Sequence, residues 1–539
     1  MAATASAVAG RRRLILAICC FSLFMAQLDA TAVNVALPRI GQDLHAGITG
    51  LQWVVDGFVL ALGSLAMSAG AAGDRLGRRR VFRRGLVVFT AASLACSFAP
   101  DLGWLIGARV AQGAGASMLM PVTLAIIAAT FTDPRQRAQA IGLWAATAGI
   151  AAAAGPLLGG VLATTAGWRA IFWINLPVGL AGVALTTAFV PESRSVIPRP
   201  ADVPGQAGVV VFVATLTYAL IQAPDQGWNS PLTLVLFAGA GCALAGFAAA
   251  ELRSPAPMID VRLLARPALA AAIAAAVLAY LALMGFLFLN ALYLQQARGL
   301  SPIRAGLAIV PFPAALAVTS PLAGRLLARR QPHLLIGAGG AVITAGLLAL
   351  LGAGTATPYP LLCVIYLLLG TGWGLLNTPV TSLAVSAMPA QQAGVASALA
   401  GSARQVGTVL GVALLGSLAS TSLRQELARA PGANHAAALA DATHLGYLAG
   451  ALAAALIVPI ASAAVWLGAG RRPWAARRDP SGWGREDQRA VDHERHDRQA
   501  LRAISDRAGR VSARRPGSRA AAGRPRLPGC VAGARPGRR

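Results

Sequence analysis

Long apolar segments recur along this chain, separated by short polar ones, and this pattern constrains its fold more than any other feature. Fourteen are read, approximately at 14–36, 51–70, 83–100, 104–131, 139–163, 170–190, 206–223, 231–250, 268–294, 303–324, 333–354, 359–386, 393–419 and 445–469. Each lies near the ~17–25 residues a helix needs to cross the hydrocarbon core, and the longer ones would have to tilt. Lipid offers the backbone no hydrogen-bond partners, so such segments must be helices. Demoting 206–250 gives a competing count of twelve.

Composition excludes the alternatives. Of 539 residues, 56% are hydrophobic and 12% charged, with a mean hydropathy of +0.62. A soluble domain usually carries about twice that share of charge, and one soluble core could not absorb so much apolar surface. The net charge of +26 does not point to nucleic acid, because of where it lies. All 46 basic residues are Arg, 19 of them in residues 471–539, with seven acids beside them. That segment holds six Leu, Ile, Val or Phe, too few to build a core, and it is expected to be a solvated, dispensable tail. Binding to anionic lipid headgroups is its alternative role. The six Cys (Cys19, Cys20, Cys96, Cys242, Cys363 and Cys530) show no disulfide or metal spacing.

Arg11-Arg12-Arg13 before an apolar run resembles a signal peptide, but the next apolar span follows after a short loop, so a first membrane helix is expected. Counting Arg in alternate loops sets the orientation. With the N-terminus inside, cytoplasmic segments through Arg478 hold 23 Arg and the opposite loops hold six. Both termini are therefore expected in the cytoplasm. Trp53, Trp104, Trp168 and Trp228 then fall near outer span ends, as in an aromatic belt.

Four ionisable residues remain at depth: Asp29, Asp56, Arg109 and Arg404. Charge at mid-bilayer costs at least about 2.5–3.5 kcal/mol, so such residues usually mark a pathway. At ~1.5 Å per residue, Asp29, Asp56 and Arg109 all lie roughly 7–11 Å inside the outer boundary, which permits a cluster. A carboxylate sharing a site with Arg can switch its proton with substrate or conformation; alternatively, Arg109 simply neutralises one Asp. Gln27, Thr31 and Asn34 share one face of span 1, while Asp29 points nearly opposite. A straight helix cannot present both to one cavity, and sequence leaves open which face does so.

Span 5 carries small residues at Ala151, Gly155 and Gly159, with Ala152, Pro156 and Gly160 beside them, a pattern for close helix contact. A kink is expected at Pro156. Gly70 to Arg80 is read as the loop joining spans 2 and 3, with Asp74 among its Arg expected to make a specific ion pair. No catalytic triad, metal-ligand set or phosphate loop appears, so neither an enzyme nor a cofactor is expected.

These stretches resemble the major facilitator superfamily, within it the fourteen-helix drug:proton antiporter branch. The loop Gly70–Arg80, with Gly73, Asp74, Arg75, Gly77 and Arg78, is similar to that family's latch signature. Leu105-x-x-x-Arg109-x-x-Gln112-Gly113-x-Gly115 resembles its span 4 signature, and Gly155-Pro156-Leu-Leu-Gly159-Gly160 its antiporter signature. Leu28-Asp29-Ala-Thr31-Ala-Val-Asn34-Val-Ala-Leu-Pro38, Trp168-Arg169-x-x-Phe172-x-x-Asn175-x-Pro177-x-Gly179 and Gly394-Val-Ala-Ser with Arg404-Gln405 and Gly411 resemble the branch's spans 1, 6 and 13.

The resemblance implies two six-helix bundles (1–190 and 268–470), two inserted helices with a linker (191–267) and the tail 471–539. It implies a monomeric exporter of an amphipathic organic compound in the cell membrane, exchanging it for protons by alternating access. Asp29 would carry the proton, with Asp56 as second candidate and Arg109 tuning it. Cavity or gating roles fall on Gln27, Thr31, Asn34, Gln112, Gly155, Pro156, Gly159, Gly160 and Arg404. No acid lies within spans 7–14, which disfavours a dicationic substrate. A dedicated exporter of one endogenous product, and a non-transporting sensor or scaffold, are the alternatives.

Overall fold

The computed structural model describes residues 2–195, 202–254, 261–327, 329–388, 393–430, 432 and 434–468. The Arg-rich tail 471–539 lies outside the described residues. Among the described residues, fourteen helices match the fourteen apolar segments in order. They are α1 (Ala2–Asp43), α2 (Ile48–Leu76), α3 (Arg78–Ser97), α4 (Leu102–Thr130), α5 (Pro134–Thr165), α6 (Ala170–Phe189) and α7 (Val203–Gln226). The series continues with α8 (Pro231–Arg253), α9 (Pro267–Ala297), α10 (Pro302–Leu327), α11 (Pro332–Gly352), α12 (Tyr359–Ser386), α13 (Ala393–Arg429) and α14 (His435–Gly468). Thirteen are long and apolar enough to cross a bilayer. The exception is α3, whose first seven residues include five Arg.

Local chemistry explains the starts. Pro134, Pro231, Pro267, Pro302 and Pro332 open helices, where the missing N–H costs nothing. Asp101, Asp133, Asp202 and Ser230 cap their helices by accepting backbone N–H bonds.

The helices form two six-membered bundles. In the first, α1 packs on α5, α2 and α3 pack on α4, and α3 packs on α6. In the second, α9 packs on α13 and α14, α10 on α12, and α11 on α12 and α14. The bundles meet where α2 lies along α13 and where α5 meets α10. The inserted pair stands beside one of these seams: α7 packs against α2 and α13, and α8 packs on α7. Apolar side chains of α8 such as Leu232, Leu234, Val235 and Leu244 are exposed, as suits a lipid-facing helix.

Two expectations change. The segment Gly70–Arg80 is no loop: α2 continues through Leu76, only Gly77 intervenes, and Arg78 already begins α3. Gly77 adopts φ +111°, a conformation that glycine alone takes easily. The helix α5 continues through Pro156, which stands inside it. The helices also outrun the apolar spans, so acids do occur in the second half: Asp225, Glu251 and Glu426 lie in the last turns of α7, α8 and α13, and Asp441 in the second turn of α14.

Candidate functional site: a buried charge network and a cavity between the bundles

The network is built where α4 is pinned between its neighbours. At Gly113 a side chain would strike the carbonyl of Phe58 on α2, and at Gly115 it would meet Phe89 on α3. This close approach brings Arg109 and Gln112 within reach of Asp29 on α1. Arg109 Nη1 donates to Asp29 Oδ2 at 2.5 Å and to Gln112 Oε1 at 2.6 Å, and its Nε donates to the Val54 carbonyl at 3.1 Å. Asp29 Oδ1 accepts from Gln112 Nε2 at 2.9 Å and from Asn175 Nδ2 at 2.8 Å. Ser93 Oγ accepts from both amides and donates to the Phe172 carbonyl. The guanidinium also lies over the Phe58 ring, 4.2 Å from its centroid.

Asp29 and Arg109 are each 1% exposed. A buried ion pair offsets its desolvation only when further hydrogen bonds satisfy the remaining groups, and these do. Asn175 and Ser93 carry as much of the site as Gln112, yet neither was singled out from sequence for this role. Asn175 stood within the signature of span 6, while Ser93 offered no signal.

Asp56 does not join the network, despite its equal depth. It is fully buried, and among the described residues neither carboxylate oxygen has a hydrogen-bond partner. One turn earlier, Gln52 Nε2 donates to the Val412 and Ala413 carbonyls of α13 at 2.8 Å. Two turns later, Gly63 abuts Gln405 of α13. Residues four and seven apart share a helix face, so Asp56 lies on the face of α2 that meets α13.

A cavity of about 2210 Å³ separates the bundles. The two faces of α1 are now assigned: Gln27, Thr31 and Asn34 line this cavity, while Asp29 points into its own bundle. Pro156 and Arg404 also line it. Gln112, expected at the cavity, is instead completely buried in the network. Phe58, Trp144, Phe312 and Trp373 give the walls aromatic surface. The lining extends to Asp74, Ala125 and Asp202, at the end of the bundles that bears the Arg-rich segments.

Backbones close the opposite end. A side chain at Gly160 would meet the Pro302 carbonyl at 2.6 Å, and one at Gly306 would strike the Pro156 carbonyl. Gln295 Nε2 donates to the Val35 carbonyl at 2.7 Å, and Ile303 N donates to Thr164 Oγ1. Gly155 and Gly159 instead admit Thr31 and Ala32 of α1. Glycine at position 160 is therefore required for closure. Gly160→Val should lower transport at least about fivefold through an overpacking cost of about 1–3 kcal/mol. Gly142→Ala, where a Cβ meets nothing, should transport normally in the same vesicle assay.

At the Arg-rich end, Asp74 Oδ1 accepts from Arg78 Nη2 at 2.8 Å, one turn apart. Glu192, beyond α6, accepts from the Arg79 backbone N–H at 3.1 Å and fills the space beside Gly77. The Asp74 carbonyl accepts from Ser195 N. The α2–α3 turn is thus tied to the segment after α6. Gly73 packs on Val122 of α4, and Arg75 occupies the last turn of α2.

The family model described as Major Facilitator Superfamily matches residues 19–412. The chain belongs to the major facilitator superfamily. It is 41% identical over 407 residues to "Multidrug resistance protein Stp" of Mycobacterium tuberculosis (strain CDC 1551 / Oshkosh), covering 75% of each chain. It is 36% identical to "Methylenomycin A resistance protein" of Streptomyces coelicolor, covering 80% of this chain and 89% of the relative. Among solved structures, the peptide transporter PepTSo of the POT family superposes with a TM-score of 0.62 at 15% identity, covering 86% of this chain and 99% of that one. A bacterial homologue of the lysosomal transporter Spinster, inward-facing and occupied, gives 0.58 at 17% identity, covering 87% and 99%. At such identities the likeness speaks for the fold. This is a multi-pass membrane transporter of two six-helix bundles with two inserted helices.

Proposed function

We propose that this chain exports amphipathic organic compounds, drugs or antibiotics among them, across the cell membrane in exchange for inward protons. The observation that carries this reading is the large, mainly apolar cavity, lined as far as one end of the bundles and closed by backbone contacts at the other. It suits one state of an alternating-access cycle. The Arg asymmetry puts the Arg-rich end and both termini in the cytoplasm, so the cavity here would face inward. The substrate route lies within one chain, so a monomer suffices. The relatives' names, multidrug resistance and methylenomycin A resistance, support an exported substrate of this kind.

Proton coupling is assigned to the two buried acids of the first bundle. A proton on Asp29 would cancel one member of its ion pair and release Arg109, whose grip on Val54 and Phe58 reaches α2. A proton on Asp56 would remove a charge with no partner among the described residues, at the seam where the bundles must part. The energetics suffice. A 100-fold gradient of a neutral compound needs about 2.7 kcal/mol. One proton supplies about 2.3 kcal/mol per 100 mV and about 1.4 per pH unit.

Efflux driven by a pH gradient in vesicles tests the reading. Asp29→Asn is expected to remain in the membrane and to lose at least about nine-tenths of pH-driven efflux, since each such acid is expensive to keep at depth. Efflux at the wild-type rate from that variant would remove Asp29 from the coupling. A purified, correctly inserted wild type that moves no compound would favour a sensor or scaffold.

A further inference from the structure

Among the described residues that line the cavity, three are charged: Asp74, Asp202 and Arg404. Both acids stand at the Arg-rich mouth and are already engaged. Asp74 pairs with Arg78, and Asp202 caps α7 through Gly205 N. Arg404 stands deeper. It lies five residues inside the apolar stretch Leu399–Arg429 of α13, about 8 Å in by helical rise. It is half-buried and, among the described residues, has no carboxylate partner. Its Nη1 donates to Thr381 Oγ1 of α12 at 3.3 Å, and the guanidinium lies 6.0 Å from the Tyr280 ring of α9. Asn377, one turn along α12 from Thr381, and Gln405 line the cavity beside it.

A guanidinium presents five donors in a planar fork that matches a carboxylate, sulfonate or phenolate. Within the cavity's described walls no acid at that depth neutralises it, and none is available to hold a cation. We propose that the cavity recognises amphipathic organic anions, with Arg404 holding the acidic group and Thr381, Asn377 and Tyr280 flanking it, while the aromatic walls take the apolar body. The proposal rests on the export reading above and names its substrate class.

A consequence follows for the driving force. Exchange of one proton for one monocation moves no net charge, whereas an anion leaving as a proton enters moves two. An inside-negative potential then drives export without a pH difference, each charge through 100 mV being worth about a 50-fold gradient.

The experiment uses the purified full-length protein with 2-naphthoate and 2-naphthamide, which share a ring system and differ in charge. Calorimetric titration is expected to show naphthoate binding at least about tenfold tighter than the amide. In Arg404→Gln that ratio should fall to near one, and Arg404→Lys should keep an intermediate ratio. Melting temperatures verify folding, and Arg404→Lys carries the test should the Gln variant not fold. In vesicles, an inside-negative potential at equal pH should drive naphthoate export.

Equal binding of the two probes, or a ratio untouched in a folded Arg404→Gln, overturns the proposal. So does pH-driven export of ethidium, a cation, by a protein that shows no preference for naphthoate; that result would leave the export reading standing. Arg404-dependent naphthoate binding with no flux of any probe would instead sustain the anion site and sink the export reading.

Discussion

Asp56→Asn should abolish pH-driven efflux, to the level of vesicles without protein, while leaving the protein as abundant and at least as heat-stable as the wild type. The stability half follows from the absence of partners. Both oxygens are buried and accept no hydrogen bond from the described residues, so the substitution breaks none of these and removes a group that is costly to bury. The functional half follows from position. Asp56 lies on the face of α2 whose Gln52 and Gly63 touch α13, and this contact joins the two bundles. Alternating access requires such contacts to change, so the surroundings of Asp56 change with the state. Asp29, Arg109, Gln112, Asn175 and Ser93 all belong to one bundle and would travel together. A carboxylate with changing surroundings can take up and release a proton in step with the cycle. Downhill movement of substrate should survive in Asp56→Asn, because the cavity walls are intact. Efflux that still follows the pH gradient in this variant would exclude Asp56 from coupling.

The contrast between the two acids shows what sequence could and could not carry. Their depth was readable, because a charge stands out in an apolar span. Their partners were not. Asn175 and Ser93 are uncharged, and a buried amide or hydroxyl looks the same in sequence whether it faces a network, a cavity or a neighbouring backbone. Gln112 shows the resulting error: a polar residue at helical spacing from Arg109 was expected at the cavity, and it turned inward with the arginine. The opposed faces of α1 were visible as a conflict, and packing decided it, since Gly155 and Gly159 of α5 fit against Thr31 and Ala32 beside the cavity while Asp29 meets α4 and α6. The helix ends were misjudged for another reason. Apolar spans stop at the first arginines, but the helix does not, because a long side chain can leave its stem along the helix and its charge in water. Hence Arg78–Arg80 read as a loop and prove to be the first turn of α3.

Arg109→Ala should cost the folded protein about 3–5 kcal/mol, the usual penalty for removing one member of a buried ion pair. Asp29 would keep the amides of Gln112 and Asn175 but lose its counter-charge, and Val54 and Gln112 would each lose a donor. The measured signs are a lowered melting temperature, reduced abundance in the membrane and loss of efflux together. Arg109→Lys keeps a charge but lacks the planar fork that reaches Asp29, Gln112 and Val54 at once, so it should fall between. The double variant Asp29→Asn with Arg109→Gln separates the pair's electrostatics from the shape of the site. With both charges gone no ion is left buried alone, so the double variant should melt above Arg109→Ala, recovering part of the loss. It should still fail to pump, having neither a carboxylate at position 29 nor a cation to answer it. A double variant no more stable than Arg109→Ala would mean that the guanidinium acts mainly through its packing on Phe58, 4.2 Å from the ring centroid, and not through Asp29.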